Sequence, residues 1–176
     1  VYTVMGGFLA VSLTDFVQGC IMFVALVLVP VVAFLELGGG FPDALGAAEA
    51  SRGLSLTQMV GGEVTLLAIV SAAAWGLGYF GQPHIIVRFM AIRDVKQMPI
   101  ARRINIGWMA VSLLGAILTG LVGAAWFAAR GGAPEDPETV FLLLSKILFH
   151  PFIAGFVLAA VLAAIMSTIS SQLLVT

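Results

Sequence analysis

The segment from Trp75 to Pro83 places Gly76, Gly78, Gly81 and a proline within nine residues of an otherwise apolar stretch. A helix interior loses up to about 1 kcal/mol per glycine and about 3 kcal/mol per proline, so the spacing predicts a break or local unwinding. Backbone groups released at membrane depth are tolerated only inside protein or beside a watery cavity. There they can bind solutes and ions. Trp75 and Tyr79 are four apart and share a face on any surviving helical turn, where their rings could hold an apolar or cationic part of a ligand. Gln82 adds a neutral polar group beside them. The structural alternative is glycine used for close helix packing and aromatics used as an interfacial belt.

A second candidate group lies near the C-terminus, in the run Ala163 to Ser171, where hydroxyls cluster inside an apolar segment. Ala164, Ser167 and Thr168 stand at i, i+3 and i+4, hence on one helical face. Their hydroxyls and a backbone carbonyl offer only hard oxygen donors, a set suited to a cation such as sodium. The alternative is that the hydroxyls bond back to their own helix while Gly155, Ala159 and Ala163 mark a packing face. Asp15 is read as the start of a helix, where a carboxylate favours the positive end of the dipole and Thr14 could cap. Lys146 is explained by snorkelling, and His150 receives no role. Neither histidine has another ligand-type residue at metal spacing, and no nucleophile-base pair or phosphate-binding loop is visible, so the reading is not an enzyme.

The elements that must position these residues follow from composition. Of 176 residues, 61% are hydrophobic and 10% charged, against about half and a quarter in a soluble domain. Eight basic and nine acidic residues cannot clothe a soluble core of this size, so the bilayer is the expected solvent. A net charge of −1 without a basic stripe leaves no footprint for nucleic acid. Cys20 alone cannot form an internal disulfide. A spanning helix needs about 20 mostly apolar residues, which predicts an all-α membrane region spanning at 16–35, 64–83, 104–129 and 151–171. Residues 1–13 read as the end of an earlier helix and 140–149 as a short interfacial one. The chain starts and stops in apolar sequence, and so reads as an internal piece of a larger protein.

Loop 84–103 carries Arg88, Arg93, Lys96, Arg102 and Arg103 against Asp94, which predicts a cytoplasmic location. Loop 36–63, with Glu36, Asp43, Glu49 and Glu63 against Arg52, and loop 130–139, with Glu135, Asp136 and Glu138 against Arg130, belong outside. Charge and parity agree for four spans.

Several runs together resemble the sodium:solute symporter family: Gly6 to Val11 followed by Thr14, Asp15 and Gln18; Trp75 to His84 with Arg88, Phe89 and Met90; Ala101 to Arg103; and Ala164 to Leu174. The likeness covers nearly the whole chain. It implies the leucine-transporter type of fold, two five-helix inverted repeats around substrate and sodium sites near the midplane. The chain would supply the end of the first repeat and the first three helices of the second, with the broken helix as the sixth core helix. The first core helix would lie upstream of Val1. By resemblance, Trp75, Tyr79 and Pro83, with Gln82 beside them, match positions tied to proline binding. Ala164, Ser167 and Thr168 match sodium ligands of the eighth core helix, and Asp15 matches a carboxylate affecting sodium-dependent transport. The implied activity is sodium-coupled uptake of L-proline into a bacterium across its inner membrane. A carrier for another organic solute, or a symporter-like sensory input domain, remains open.

Overall fold

The computed structural model describes residues 2–53, 55–56 and 65–175; the side chains of 2–4, Arg52, Tyr79, Phe80 and His84 are outside that description. Glu63 and the expected span start at Val64 therefore lie outside the described residues. Among the described residues all regular structure is helical: α1 (Tyr2–Leu37), α2 (Phe41–Arg52), α3 (Leu66–Trp75), α4 (Pro83–Met90), α5 (Met98–Ala129), α6 (Val140–Leu148) and α7 (Pro151–Val175), with short 3-10 turns between several of them. Three stretches, in α1, α5 and α7, are long and apolar enough to cross a membrane.

Local chemistry sets the boundaries. The α1 helix gives way to a 3-10 turn at Gly38, whose φ of 55° costs a glycine little. In α2, Pro42 fits the first turn, where an amide would be unpaired anyway, and Gly53 closes the end in the left-handed region at φ 64°. Thr65 caps α3 by accepting from the Ala68 amide at 3.3 Å. Asp94 accepts from the Lys96 amide at 2.9 Å and starts the turn leading into α5. That turn and Pro99 start α5 at Met98 rather than Ile104, so much of the segment expected as loop 84–103 is helical. Loop 36–63 is likewise largely helix, through α2.

The largest departure from the sequence reading is at Asp15. The only non-helical backbone inside α1 is Gly7 (φ 54°, ψ −148°), so the helix runs from Phe8 to Leu37 and Asp15 lies within it. Thr14 does not cap a start there: its hydroxyl donates back to the carbonyls of Ala10 and Val11, each at 3.0 Å. With no proline or glycine between Phe8 and Gln18, nothing interrupts the amide ladder, so Asp15 has no helix start to face and Thr14 no cap to make.

The core forms where α1, α5, α6 and α7 meet, around Val29, Ala33, Val122, Trp126, Leu144 and Val157. Small residues allow the close approach. A Cβ on Gly115 would stand 2.8 Å from Leu26 Cγ, and one on Gly123 would stand 2.4 Å from Val140 Cγ1. With lipid as solvent there is no hydrophobic drive between helices, so such van der Waals fit carries the association. The outer surface is correspondingly apolar, with Met5, Leu67 and Phe152 each about four-fifths exposed. Water could not solvate such a surface cheaply, and hydrocarbon can.

Candidate functional site

Asp15 projects from the middle of α1 toward α4 and α7, and its side chain is only 8% exposed. Its Oδ2 accepts from the Arg88 guanidinium of α4 and, at 3.1 Å, from the Ser171 hydroxyl of α7. Arg88 also contacts Ser171 Oγ through the same Nη2, so carboxylate, guanidinium and hydroxyl form one three-helix knot. Ser171 additionally lies 2.7 Å from the Ser167 carbonyl. Charge-assisted bonds of this kind are roughly twice as strong as neutral ones, and a buried carboxylate requires them.

The knot leaves acceptors to spare. Asp15 Oδ1 and Gln18 Oε1 are buried and have no hydrogen-bond partner among the described residues; at i and i+3 they share a face of α1. A cavity of about 500 Å3 opens here, lined by Phe8, Asp15, Arg88, Asn105, Trp108 and Ser167 among others. Its wall is braced by Trp108, which stacks on Phe23 at 4.9 Å and lies 3.4 Å from where a Cβ on Gly19 would stand.

The three members of the hydroxyl group behave differently. Ser167 and Thr168 both donate to the Ala164 carbonyl, each at 3.0 Å. This is the back-bonding pattern, and it spends each hydroxyl's proton while keeping oxygen lone pairs free to accept a cation. Ser167 lines the Asp15 cavity, whereas Ala164 and Thr168 do not. Trp75, Gln82 and Pro83 lie elsewhere. Trp75 ends α3 with 67% of its surface exposed, a 3-10 segment covers Gly76–Gly81, and Gln82 is the extended residue before α4. None of the three lines the Asp15 cavity, and the Tyr79 side chain is outside the described residues. Thus the structure joins Asp15 to Ser167 and leaves the substrate-type residues apart from both.

Sequence reasoning gave no role to Arg88 or Ser171, nor to Asn105. By sequence Arg88 is one cation of a basic loop; in the structure it belongs to α4. Its signal was its place on α4, just past the break, amid Ile85, Ile86 and Phe89. Ser171 continues the Ala164–Ser167 ladder by one more turn.

Comparison with known proteins gives a consistent result. The family model of the sodium:solute symporter family matches residues 1–176. The chain is 58% identical to the osmoregulated proline transporter OpuE of Bacillus subtilis over 175 residues, covering 99% of this chain and 35% of that protein. It is 58% identical to the high-affinity proline transporter PutP of the same organism, covering 99% and 36%, and 55% identical to sodium/proline symporter 2 of Staphylococcus saprophyticus, covering 99% and 34%. The chain thus spans about a third of the length of these relatives. No solved structure gives a significant match. A family match over residues 1–176, 58% identity over 99% of the chain and three membrane-length apolar helices agree: the chain is a membrane protein and belongs to the sodium:solute symporter family.

Proposed function

We propose that the protein of which this chain forms part couples sodium entry to uptake of L-proline across the bacterial cytoplasmic membrane, by alternating access within a leucine-transporter-type inverted-repeat fold. The observation that carries this is 55–58% identity, over 99% of the chain, to proteins named proline transporters and sodium/proline symporters. Those names favour a carrier over a sensory input domain. In this reading the basic segment 84–103 faces the cytoplasm, and 36–63 and 130–139 face outward, by the bias of Lys and Arg.

Substrate binding is assigned to Trp75, Tyr79, Gln82 and Pro83. The change from α-helix to 3-10 at Gly76 supports it, since that change redirects backbone donors and acceptors. Sodium is assigned to the Ala164 carbonyl and the Ser167 and Thr168 hydroxyls; each hydroxyl spends its proton on that carbonyl and retains oxygen lone pairs. Asp15 acts beside them: it shares a cavity with Ser167 and keeps one carboxylate oxygen that no described residue engages, an acceptor a passing cation could use while Arg88 holds the other oxygen. Sodium that favours one conformation raises substrate affinity there, and proline must raise sodium affinity by the same factor.

The test is radiolabelled proline uptake by the full-length protein in vesicles, with and without a sodium gradient, for wild type, Ser167→Ala and Thr168→Ala. Sodium-dependent uptake, with a raised half-saturating sodium concentration in both variants, supports the assignment. Gradient-independent or absent proline uptake refutes it and directs attention to other solutes.

A further inference from the structure

The cavity beside Asp15 presents both signs of charge. The Asp15 side chain is 8% exposed, and its Oδ1 has no partner among the described residues. Arg88 lines the same cavity with about half of its side chain exposed. Among the described residues its bonds to Asp15 and Ser171 both run through Nη2, which leaves Nε and Nη1 to donate elsewhere. Asn105 adds an amide, and Phe8, Phe16 and Trp108 supply aromatic surface around the charged groups. A volume of about 500 Å3 falls in the range of small-molecule sites.

The charges select the ligand. Carboxylate and guanidinium sum to zero, so the pair offers a simple ion no net attraction. A cation at Oδ1 gains the carboxylate and is opposed by the guanidinium, so it can pass but has little to hold it there; an anion at Arg88 meets the converse. A molecule carrying both charges on one carbon answers both groups. Its ammonium donates to Asp15 Oδ1 while its carboxylate accepts from Arg88 Nε or Nη1, each bond charge-assisted and each charge paired as burial requires. Its side chain or ring is left to the aromatic wall. We infer that this cavity is a second substrate site, for a zwitterionic α-amino or α-imino acid, separate from Trp75, Gln82 and Pro83, none of which lines it. L-proline as the occupant rests on the transport reading; the charge pattern itself asks only for the zwitterion. Ser167 lines the same cavity, so the site adjoins the sodium assignment.

The experiment measures alkylation by N-ethylmaleimide at Ser12→Cys, a lining position, at constant sodium. It uses the full-length protein with Cys20→Ser, no other cysteine, and Trp75→Ala to disable the assigned substrate site. The expected result is that L-proline slows alkylation about threefold or more, which corresponds to occupancy of about two-thirds. Pyrrolidine and cyclopentanecarboxylate, with one charge each, should not protect, and Asp15→Asn should abolish the protection by proline. Pyrrolidine protecting as well as proline would make this a cation site. Protection seen only with Trp75 restored would make it an echo of the other site, and a cysteine that never reacts would mean that protein fills the cavity. Each of these overturns the inference, as does protection that survives Asp15→Asn. Intact proline uptake in the protein with Trp75, without protection by any amino acid, sinks this site alone. Protection by L-alanine but not L-proline, with no proline uptake, sinks the proline reading and keeps the zwitterion site.

Discussion

Two carboxylates on α1 each meet an arginine, and the two encounters differ in kind. Asp15 is nearly buried and binds Arg88 and Ser171 from two other helices. Glu36, roughly 30 Å along the same helix, is 43% exposed and, among the described residues, is bound by the end of α5 and the residue that follows it: Trp126 Nε1 and Arg130 Nη2 both donate to Oε2 at 3.1 Å. Arg130 also lies 3.7 Å over the Trp126 ring. The Glu36 cluster sits on a packed core through Trp126. The Asp15 cluster sits beside a cavity and keeps an unpartnered oxygen. A bond that closes a structure and a bond poised to be exchanged therefore have opposite surroundings, although both are Arg–carboxylate pairs.

The sharpest way to break that contrast is Arg88→Gln. It strands a buried carboxylate, and removing one partner of a buried pair costs several kcal/mol. With Arg88 half exposed, a loss of about 2–4 kcal/mol in unfolding free energy is expected. Asp15→Asn should cost less, because the freed guanidinium can reach water. Denaturation of the full-length protein in detergent tests the order, and equal losses would show that the asymmetry of burial does not matter. In the same Arg88→Gln protein, added sodium should raise the melting temperature more than in wild type, because the Asp15 carboxylate then lacks its cation. Sodium and potassium giving the same shift would defeat that expectation.

At the Glu36 end, packing should outweigh charge. Gly123→Val drives a side chain into Val140, and overpacking costs about 1–3 kcal/mol. Arg130→Ala removes an exposed pair and a cation–π contact, together about 1 kcal/mol or less, with sodium-dependent proline uptake unchanged. If Arg130→Ala proves the more damaging of the two, the Glu36 cluster is more than a surface clasp.

Much of the helical organisation was legible because bilayer thickness and glycine chemistry are local rules. The 3-10 stretch at Gly76–Gly81 follows from three glycines ahead of a proline, and α7 starts at Pro151 for the same kind of reason. The reach of α1 is not marked by charge, because a single carboxylate does not stop a helix and α1 passes through Asp15. The site was legible only in pieces. Ser167 and Asp15 could be singled out by type and spacing, but their meeting in one cavity depends on α1 packing along α7. Arg88, 73 residues from Asp15, joins them through tertiary structure that no window on the sequence contains.

Those separations also impose an order of assembly. Ser171 is 156 residues beyond Asp15, and Arg88 is 73 beyond it. At about 5–20 residues per second of synthesis, the carboxylate waits roughly 4–15 s for its arginine and roughly 8–30 s for its hydroxyl. Arg88 is therefore made before α7 exists, so α1 and α4 can pair before the last helix docks. A chain halted after Arg88 has left the ribosome and before Pro151 is made would offer Asp15 the guanidinium without the hydroxyl.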